Sequence, residues 1–199
     1  LSKVYVMGEE HVIALKNINL TINRGEICCI FGTSGSGKST LLNQLAGLEK
    51  PTKGEVVVAG QHLENMTENQ LVRFRREKVG FIFQSFNLMA SMNAVENVAL
   101  PLTFQGMEKK KRLQKAEKML KLVGLTKYMT HKPSQMSGGQ QQRVGVARAL
   151  VVEPEIVFAD EPTGNLDFAT SRDVMRLMQQ IVREKQQTLV MVTHDRELA

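Results

Sequence analysis

The stretch Gly32-Thr33-Ser34-Gly35-Ser36-Gly37-Lys38-Ser39 constrains this chain more than any other. It satisfies the spacing G-x-x-x-x-G-K-[ST]. A short apolar run, Ile27-Cys28-Cys29-Ile30-Phe31, precedes it, and good helix formers from Thr40 to Ala46 follow. The setting is therefore strand, loop, helix. Without a Cβ, Gly32, Gly35 and Gly37 let the backbone take positive φ and come close to an anion. Successive amides then form a nest, and the helix N-terminus adds partial positive charge. Lys38 is placed to reach the β- and γ-phosphates of a nucleotide, and the Ser39 hydroxyl to ligate Mg²⁺. Gly32, Thr33, Ser34, Gly35, Ser36, Gly37, Lys38, Ser39 and Thr40 form the first candidate nucleotide-binding set. The alternative is a Gly/Ser-rich turn that binds nothing; the flanking strand and helix argue against it.

At 199 residues and 42% hydrophobic, the chain has material for one domain, or one domain with a subdomain. No apolar run approaches the ~20 residues of a membrane helix. Leu1-Ser2-Lys3-Val4 shows no signal-peptide pattern, and with no initiator Met the expectation is a chain trimmed at its ends. Cys28 and Cys29 are adjacent on an expected buried strand and point to opposite faces, which disfavours a disulfide. Two buried reduced thiols fit a cytoplasmic protein. The net charge of +6 is spread out, and its densest cluster, Lys109-Lys110-Lys111-Arg112, reads as a solvated helix face. No nucleic acid partner is expected from it.

The pattern along the chain is that of an α/β fold. Val4-Tyr5-Val6 is a short strand candidate, and Tyr5 is an aromatic upstream of the loop that could stack on a base, although a strand aromatic is more often core. Ala14 to Ile22 alternates apolar and polar residues, as a half-buried strand does. Asn23-Arg24-Gly25-Glu26 is a turn. The helix after the loop should end near Gly47. Glu55 to Gly60 reads as a strand, Thr67 to Lys78 as a helix, and Val79 to Phe83 as a strand that delivers Gln84. From Ser85 to Ser134 the periodicity is helical. Asn93-Ala94-Val95-Glu96 has the shape of a capping box, with a helix expected to stop at Pro101. A second helix runs from Lys109 to Val123.

Ser137 can cap a helix whose N-terminal amides Gly138 and Gly139 leave bare, a second potential anion site. Ile156-Val157-Phe158-Ala159 is an apolar strand ending in Asp160-Glu161. Beside a Mg-nucleotide, the first carboxylate can hold the metal shell and the second can orient the attacking water. An ordinary strand-end turn is the competing account, and the phosphate loop in the same chain weighs against it. Phe168 to Gln187 reads as a helix with Val174, Leu177, Met178 and Ile181 buried. A last strand, Leu189 to Val192, delivers Thr193-His194-Asp195. A lone His at a strand end is usually structural; here it sits where a γ-phosphate sensor is useful.

Taken together, these motifs resemble those of the ATP-binding subunit of an ABC transporter, in the expected order and over essentially the whole chain. The resemblance implies a P-loop NTPase of the ABC-ATPase fold, with a mixed core sheet, an antiparallel N-terminal β portion and a helical subdomain. It implies one nucleotide-binding domain over 1–199, with a core of 1–84 and 151–199 and a helical subdomain of 85–150. Tyr5 matches the aromatic that stacks on adenine. Gln84 matches the glutamine that touches Mg²⁺ and the attacking water. Ser137, Gly138, Gly139 and Gln140 match the signature that contacts the γ-phosphate of ATP held by the other protomer. Asp160 matches the metal-shell acid, Glu161 the catalytic base, and His194 the switch histidine; Lys38 joins them in the catalytic set. The implied metal ligands are Ser39, Gln84 and Asp160. Asn165-Leu166-Asp167 match the loop that crosses the dimer interface.

The wording around the motifs is narrower. Gly80 to Leu88, Glu96 to Leu102 and Ala159 to Asp167 are similar to the macrolide-exporter, lipoprotein-release and FtsE-like branch (MacB/LolD type). This implies ATP and Mg²⁺ as ligands, a second copy as one partner, and an integral membrane permease subunit of ABC type as another. It places the protein at the cytoplasmic face of the cell membrane. Met136 departs from the usual leucine, a volume-conserving swap. A first strand segment and an element after His194 are expected to be missing. The rival readings are a soluble ATPase acting on DNA or ribosomes and a regulatory, cell-division type of ATPase. A long coiled coil between Gln84 and Ser137 would mark the DNA type, and no sustained heptads occur there.

Overall fold

The computed structural model describes residues 1–195; the last four positions of the 151–199 core segment lie outside it. Fourteen strands and helices are needed to follow the chain. A hairpin of β1 (Lys3–Met7) and β2 (Glu10–Leu15) leads to β3 (Ile27–Phe31), the phosphate loop and α1 (Lys38–Leu45). A small hairpin of β4 (Val57–Val58) and β5 (Gln61–His62) precedes α2 (Glu68–Lys78) and β6 (Val79–Ile82). Then come α3 (Ala94–Phe104), α4 (Lys109–Leu122), α5 (Gly138–Leu150), β7 (Ile156–Asp160), α6 (Phe168–Glu184) and β8 (Thr188–Thr193).

The central sheet has the order β3-β8-β7-β6, and all its pairs are parallel. The antiparallel pairs, β1-β2 and β4-β5, are separate two-stranded sheets, so strand directions mix between sheets. A parallel sheet covered on both faces needs strands that are apolar throughout. β8 meets this with every residue buried. Alternation sorts the two faces: Val157, Ala159, Leu189 and Met191 join the core under the helices α3–α6, whereas Phe158, Val190 and Val192 pack with Leu42 of α1 and with Ala46, which caps it. Cys29 packs toward the larger of these clusters. Both cysteines are free and half-buried, less enclosed than expected, because β3 is an edge strand of this sheet.

Three other expectations are corrected. Residues 16–22 form no regular strand. Asn17 turns the chain at φ 50°, and Ile18 instead exchanges two backbone bonds with Leu1, at 2.7 and 2.9 Å. Leu20 stays 48% exposed, while Ile22 packs against the Leu42 and Phe158 cluster without strand pairing. Within 55–60 only Val57–Val58 is strand, because Ala59 and Gly60, at φ 49° and 73°, close a tight hairpin to Gln61. Helix α3 does not stop at Pro101 but runs through it to Phe104. Proline removes one donor, yet Val98, Ala99 and Leu102 are buried on both sides of it and hold the helix against the core. The expected capping box at Asn93 and Glu96 is present, and α4 ends before Gly124 at φ 76°.

This topology decides where a ligand can bind. β3, β6, β7 and β8 run in one direction, so the phosphate loop, Gln84, Asp160-Glu161 and His194 all leave the same edge of the sheet. Ligands of open parallel sheets bind at this carboxyl edge.

Candidate nucleotide site

The phosphate loop is tied at its start by Gly32 N–H to the Thr193 carbonyl of β8 at 3.4 Å, and internally by Ser36 N–H to the Thr33 carbonyl at 3.3 Å. Gly35 and Gly37 have φ of 77° and 89°. A Cβ on Gly37 would stand 2.6 Å from the Ala14 carbonyl oxygen, so strain and space both require glycine there. Gly37 is also the N-cap of α1; it supplies no side-chain cap, and the first turn carries no acid. The first amides of α1 are thus left for an anion. Lys38 is 7% exposed, and its Nζ donates to the Thr33 carbonyl at 2.8 Å, bracing the loop from inside. Thr33 to Ser36 are exposed on the outer side.

Ser39 Oγ donates to Asp160 Oδ1 at 2.9 Å, joining the start of α1 to the end of β7. Burial pushes the Asp160 carboxyl above its ordinary range; the Ser39 bond opposes this and the neighbouring Glu161 adds to it. Glu161 has φ of 43°, an uncommon conformation for a glutamate, held by its N–H to the Val192 carbonyl and by Gly164 N–H to its carbonyl, both at 3.0 Å. Its Oε1 lies 3.0 Å from His194 Nδ1. Asp160 and Glu161 are adjacent in sequence, but this backbone turn sends one carboxylate to Ser39 and the other to His194.

Gln84 follows β6 and lies over the segment after Glu161. A Cβ on Gly164 would fall 2.6 Å from Gln84 Nε2, and Asn165 Nδ2 donates to the Gln84 carbonyl at 3.0 Å. Asp167 caps α6, accepting from Thr170 N–H at 3.0 Å. Hydrogen bonds from the Thr170 side chain and backbone hold its carboxyl below the usual range.

Ser137, Gly138, Gly139 and Gln140 open α5. Ser137 Oγ accepts from Gln140 N–H at 3.3 Å, and Gln140 Oε1 accepts from Ser137 N–H at 2.9 Å. Gln140 is thereby engaged in the cap. Cβ positions on Gly138 and Gly139 would reach Leu166 Cδ2 at 3.2 Å and Thr170 Cγ2 at 2.4 Å. The neighbours described for these glycines belong to the loop after Glu161, to α6 and to Phe86; none belongs to the phosphate loop of the same chain.

Tyr5 on β1 donates its hydroxyl to Glu49 Oε2 at 2.7 Å and also meets the Thr40 side chain at the start of α1. Lys3 Nζ pairs with the same Glu49 oxygen at 3.2 Å and lies 5.1 Å from the Tyr5 ring centre. Burial raises the Tyr5 pKa, with Glu49 adding to it.

Lys3 and Glu49 were not expected from the sequence, and neither was Gln142. Gln142 is fully buried, and its amide donates to the Phe83 carbonyl at 3.4 Å and to the Pro162 carbonyl. It links the chain just before Gln84 to the chain just after Glu161. The only signal is a glutamine at an inward helical position, which periodicity alone reads as surface.

The residues fit a nucleotide phosphate with a hard cation. Bare amides and Lys38 supply the positive field, and a hydroxyl and a carboxylate 2.9 Å apart supply hard oxygen donors. Among the described residues no cluster of three or more His, Cys, Asp or Glu could cage a metal. Mg²⁺ is commonly held by one or two carboxylates together with substrate phosphates and water, and Ser39 with Asp160 would supply the protein's share of such a set.

A phosphate loop at the carboxyl edge of a parallel sheet, with a strand-end acid pair beside it, defines a P-loop nucleoside-triphosphatase. The sequence matches the family described as ABC transporter over residues 15–164, and the chain belongs to that family. It is an ATP-binding cassette and an ATPase. It is 52% identical over 98% of its length to an uncharacterized ABC transporter ATP-binding protein of Methanocaldococcus jannaschii, covering 87% of that protein. It is 48% identical to the ABC transporter ATP-binding protein YtrE of Bacillus subtilis, over 96% of this chain and 83% of that protein. It is also 48% identical to the macrolide export ATP-binding/permease protein MacB of a Shewanella species, over 96% of this chain and 29% of that longer protein. The dimeric post-hydrolysis structure of the cassette MJ0796, bound to ADP and Pi, superposes with a TM-score of 0.91 at 46% identity, over all of this chain and 87% of that one.

Proposed function

We propose that two copies of this chain close head to tail on two ATP molecules and drive a separate ABC-type permease subunit, for export or mechanical transmission. The observation that carries this is the pairing of Ser39, at the start of α1, with Asp160 at the end of β7, at 2.9 Å, and of Glu161 with His194, past the ends of β7 and β8, at 3.0 Å. In this reading the amides of residues 32–39 and Lys38 bind the β- and γ-phosphates, with Thr40 at the start of the helix beneath them. Tyr5 offers its ring to adenine. Ser39, Asp160 and Gln84 hold Mg²⁺, which supplies charge neutralisation on the phosphates. Glu161 accepts a proton from the attacking water, and His194, in contact with Glu161, fixes the carboxylate and senses the γ-phosphate.

The neighbours described for Gly138 and Gly139 include nothing of their own phosphate loop, and in this reading the anion site at the start of α5 serves the other protomer. An isolated protomer then lacks half of the charge stabilisation and is slow. The core is 1–84 with 151–199, and 85–150 is a helical subdomain that carries Ser137 to the partner. The MacB relative joins an ATP-binding and a permease part in one protein by its name, which supports a membrane partner for this chain. In this reading the chain sits at the cytoplasmic face of the membrane and is held there by that partner; among the described residues no helix is long and apolar enough to cross a membrane.

Glu161→Gln tests the site. The expected result is a fall in ATP turnover of about 100-fold or more, with ATP binding kept and an ATP-dependent dimer on gel filtration. Turnover at the parental rate would remove Glu161 as the base.

A further inference from the structure

Resting on the reading of Gln84 as part of this protomer's ATP site and of Ser137-Gly138-Gly139 as part of its partner's, we infer that Arg148 is a positioning residue. Its guanidinium fixes the turn after Gln84, and through Phe86 that turn is held against the signature, so what one chain contributes to the two ATP sites moves as a unit. Phe86 and Asn87 both have left-handed backbone, at φ 55° and 49°. Two such residues in succession, neither of them glycine, need an external hold. Arg148 provides it: Nη2 donates to the Phe86 carbonyl at 2.8 Å, and Nη1 donates to the Asn87 carbonyl. Among the described residues Arg148 makes no ion pair, so its charge is directed at these carbonyls.

The rest of α5 follows the same segment. Gly138, Gln142, Gly145 and Arg148 recur at helical spacing and form one stripe. A Cβ on Gly138 would lie 3.7 Å from the Phe86 ring, and one on Gly145 would lie 3.8 Å from the Phe86 carbonyl oxygen. Gln142 holds the Phe83 carbonyl at 3.4 Å. From Phe83 to Asn87 the chain is thus laid along a single helix face whose first residues form the signature. Two adjacent carbonyls suit the forked donors of arginine; lysine offers a single charged point and methionine only the stem.

The test uses Arg148→Met and Arg148→Lys in the whole chain, alone and combined with Gln84→Ala. Steady-state ATPase and equilibrium binding of a fluorescent ATP analogue are measured. Expected are a kcat lowered about tenfold in Arg148→Met, a smaller loss in Arg148→Lys, and a KM for ATP within about twofold of the parent. In the Gln84→Ala background the Arg148 changes should add nothing further, since the arginine acts through Gln84. If Arg148→Met does not fold, Arg148→Lys carries the same comparison. A parental kcat, or an equal fold-loss with and without Gln84, would overturn the inference. If Glu161→Gln and Gln84→Ala also leave turnover intact, it is the site reading that has failed.

Discussion

At the scale of single residues, the ligands are more legible than their supports. Lys38, Ser39 and Glu161 stand in short motifs whose residue types match their chemistry, and the structure places Ser39 with Asp160 and Glu161 with His194. Glu49, Gln142 and Arg148 carry no motif; each acts on a residue distant in sequence, so only the folded chain shows its partner. Glu49 is the simplest to test. Burial pushes its carboxyl up, but hydrogen bonds from Tyr5, Lys3 and Asn43 and the Lys3 charge outweigh this and leave it below its ordinary value. A carboxyl depressed by folding stabilises above its unfolded value and loses that contribution as pH falls through the folded one. The melting temperature of Glu49→Gln should therefore lie below that of the parent at neutral pH, and the gap should close in acid, as the pH falls from the ordinary carboxylate range through the lowered value of the folded state. Thermal scans from pH 7 to pH 3 measure it. A gap that does not change with pH would mean that the charge of Glu49 is not what holds Tyr5.

At the scale of elements, strands and helices that meet a buried partner follow their pattern, and those that do not depart from it. β7 and β8 alternate between two cores, as a sheet covered on both faces requires. The alternation from Ala14 to Ile22 is just as regular, but past Leu15 it gains no strand partner; Ile18 pairs with Leu1 and only Ile22 reaches a core cluster. Pro101 shows the reverse: packing carried α3 through a residue that should have ended it. The cover over β7 therefore sets the worth of its side chains. Phe158 is 1% exposed and faces α1, which carries the phosphate loop at its N-terminus. Phe158→Ala should cost about 3–5 kcal/mol. For a domain of this size that is a melting point lower by roughly 6–20 °C. A loss within about 1 kcal/mol would show that α1 collapses onto the smaller side chain and that the seat of the loop is not rigid.

For the whole molecule, the proposed reading turns on the site's being incomplete in one protomer. One protomer carries a phosphate loop with its acid pair, and the neighbours described for Gly138 and Gly139 do not include that loop. In the proposed reading, two copies related head to tail complete each other. Glu161→Gln, by slowing turnover, should hold them closed, and a closed dimer is the state in which a membrane partner would be retained. We propose the segment Phe86 to Val98, which continues from the turn held by Arg148, as the contact for that partner. Met89 is 47% exposed there, and Leu88 packs partly into the core. Pull-down of Glu161→Gln from its native membranes with ATP should recover an integral membrane subunit with a large extracytoplasmic domain. Charge introduced at Leu88 or Met92 should lose that subunit while basal ATPase stays within about twofold. If both variants keep the subunit, this segment is only packed surface and the contact lies elsewhere on the helical part. If only ribosomes or DNA are recovered, the ATPase chemistry stands and the motion is delivered to a soluble target.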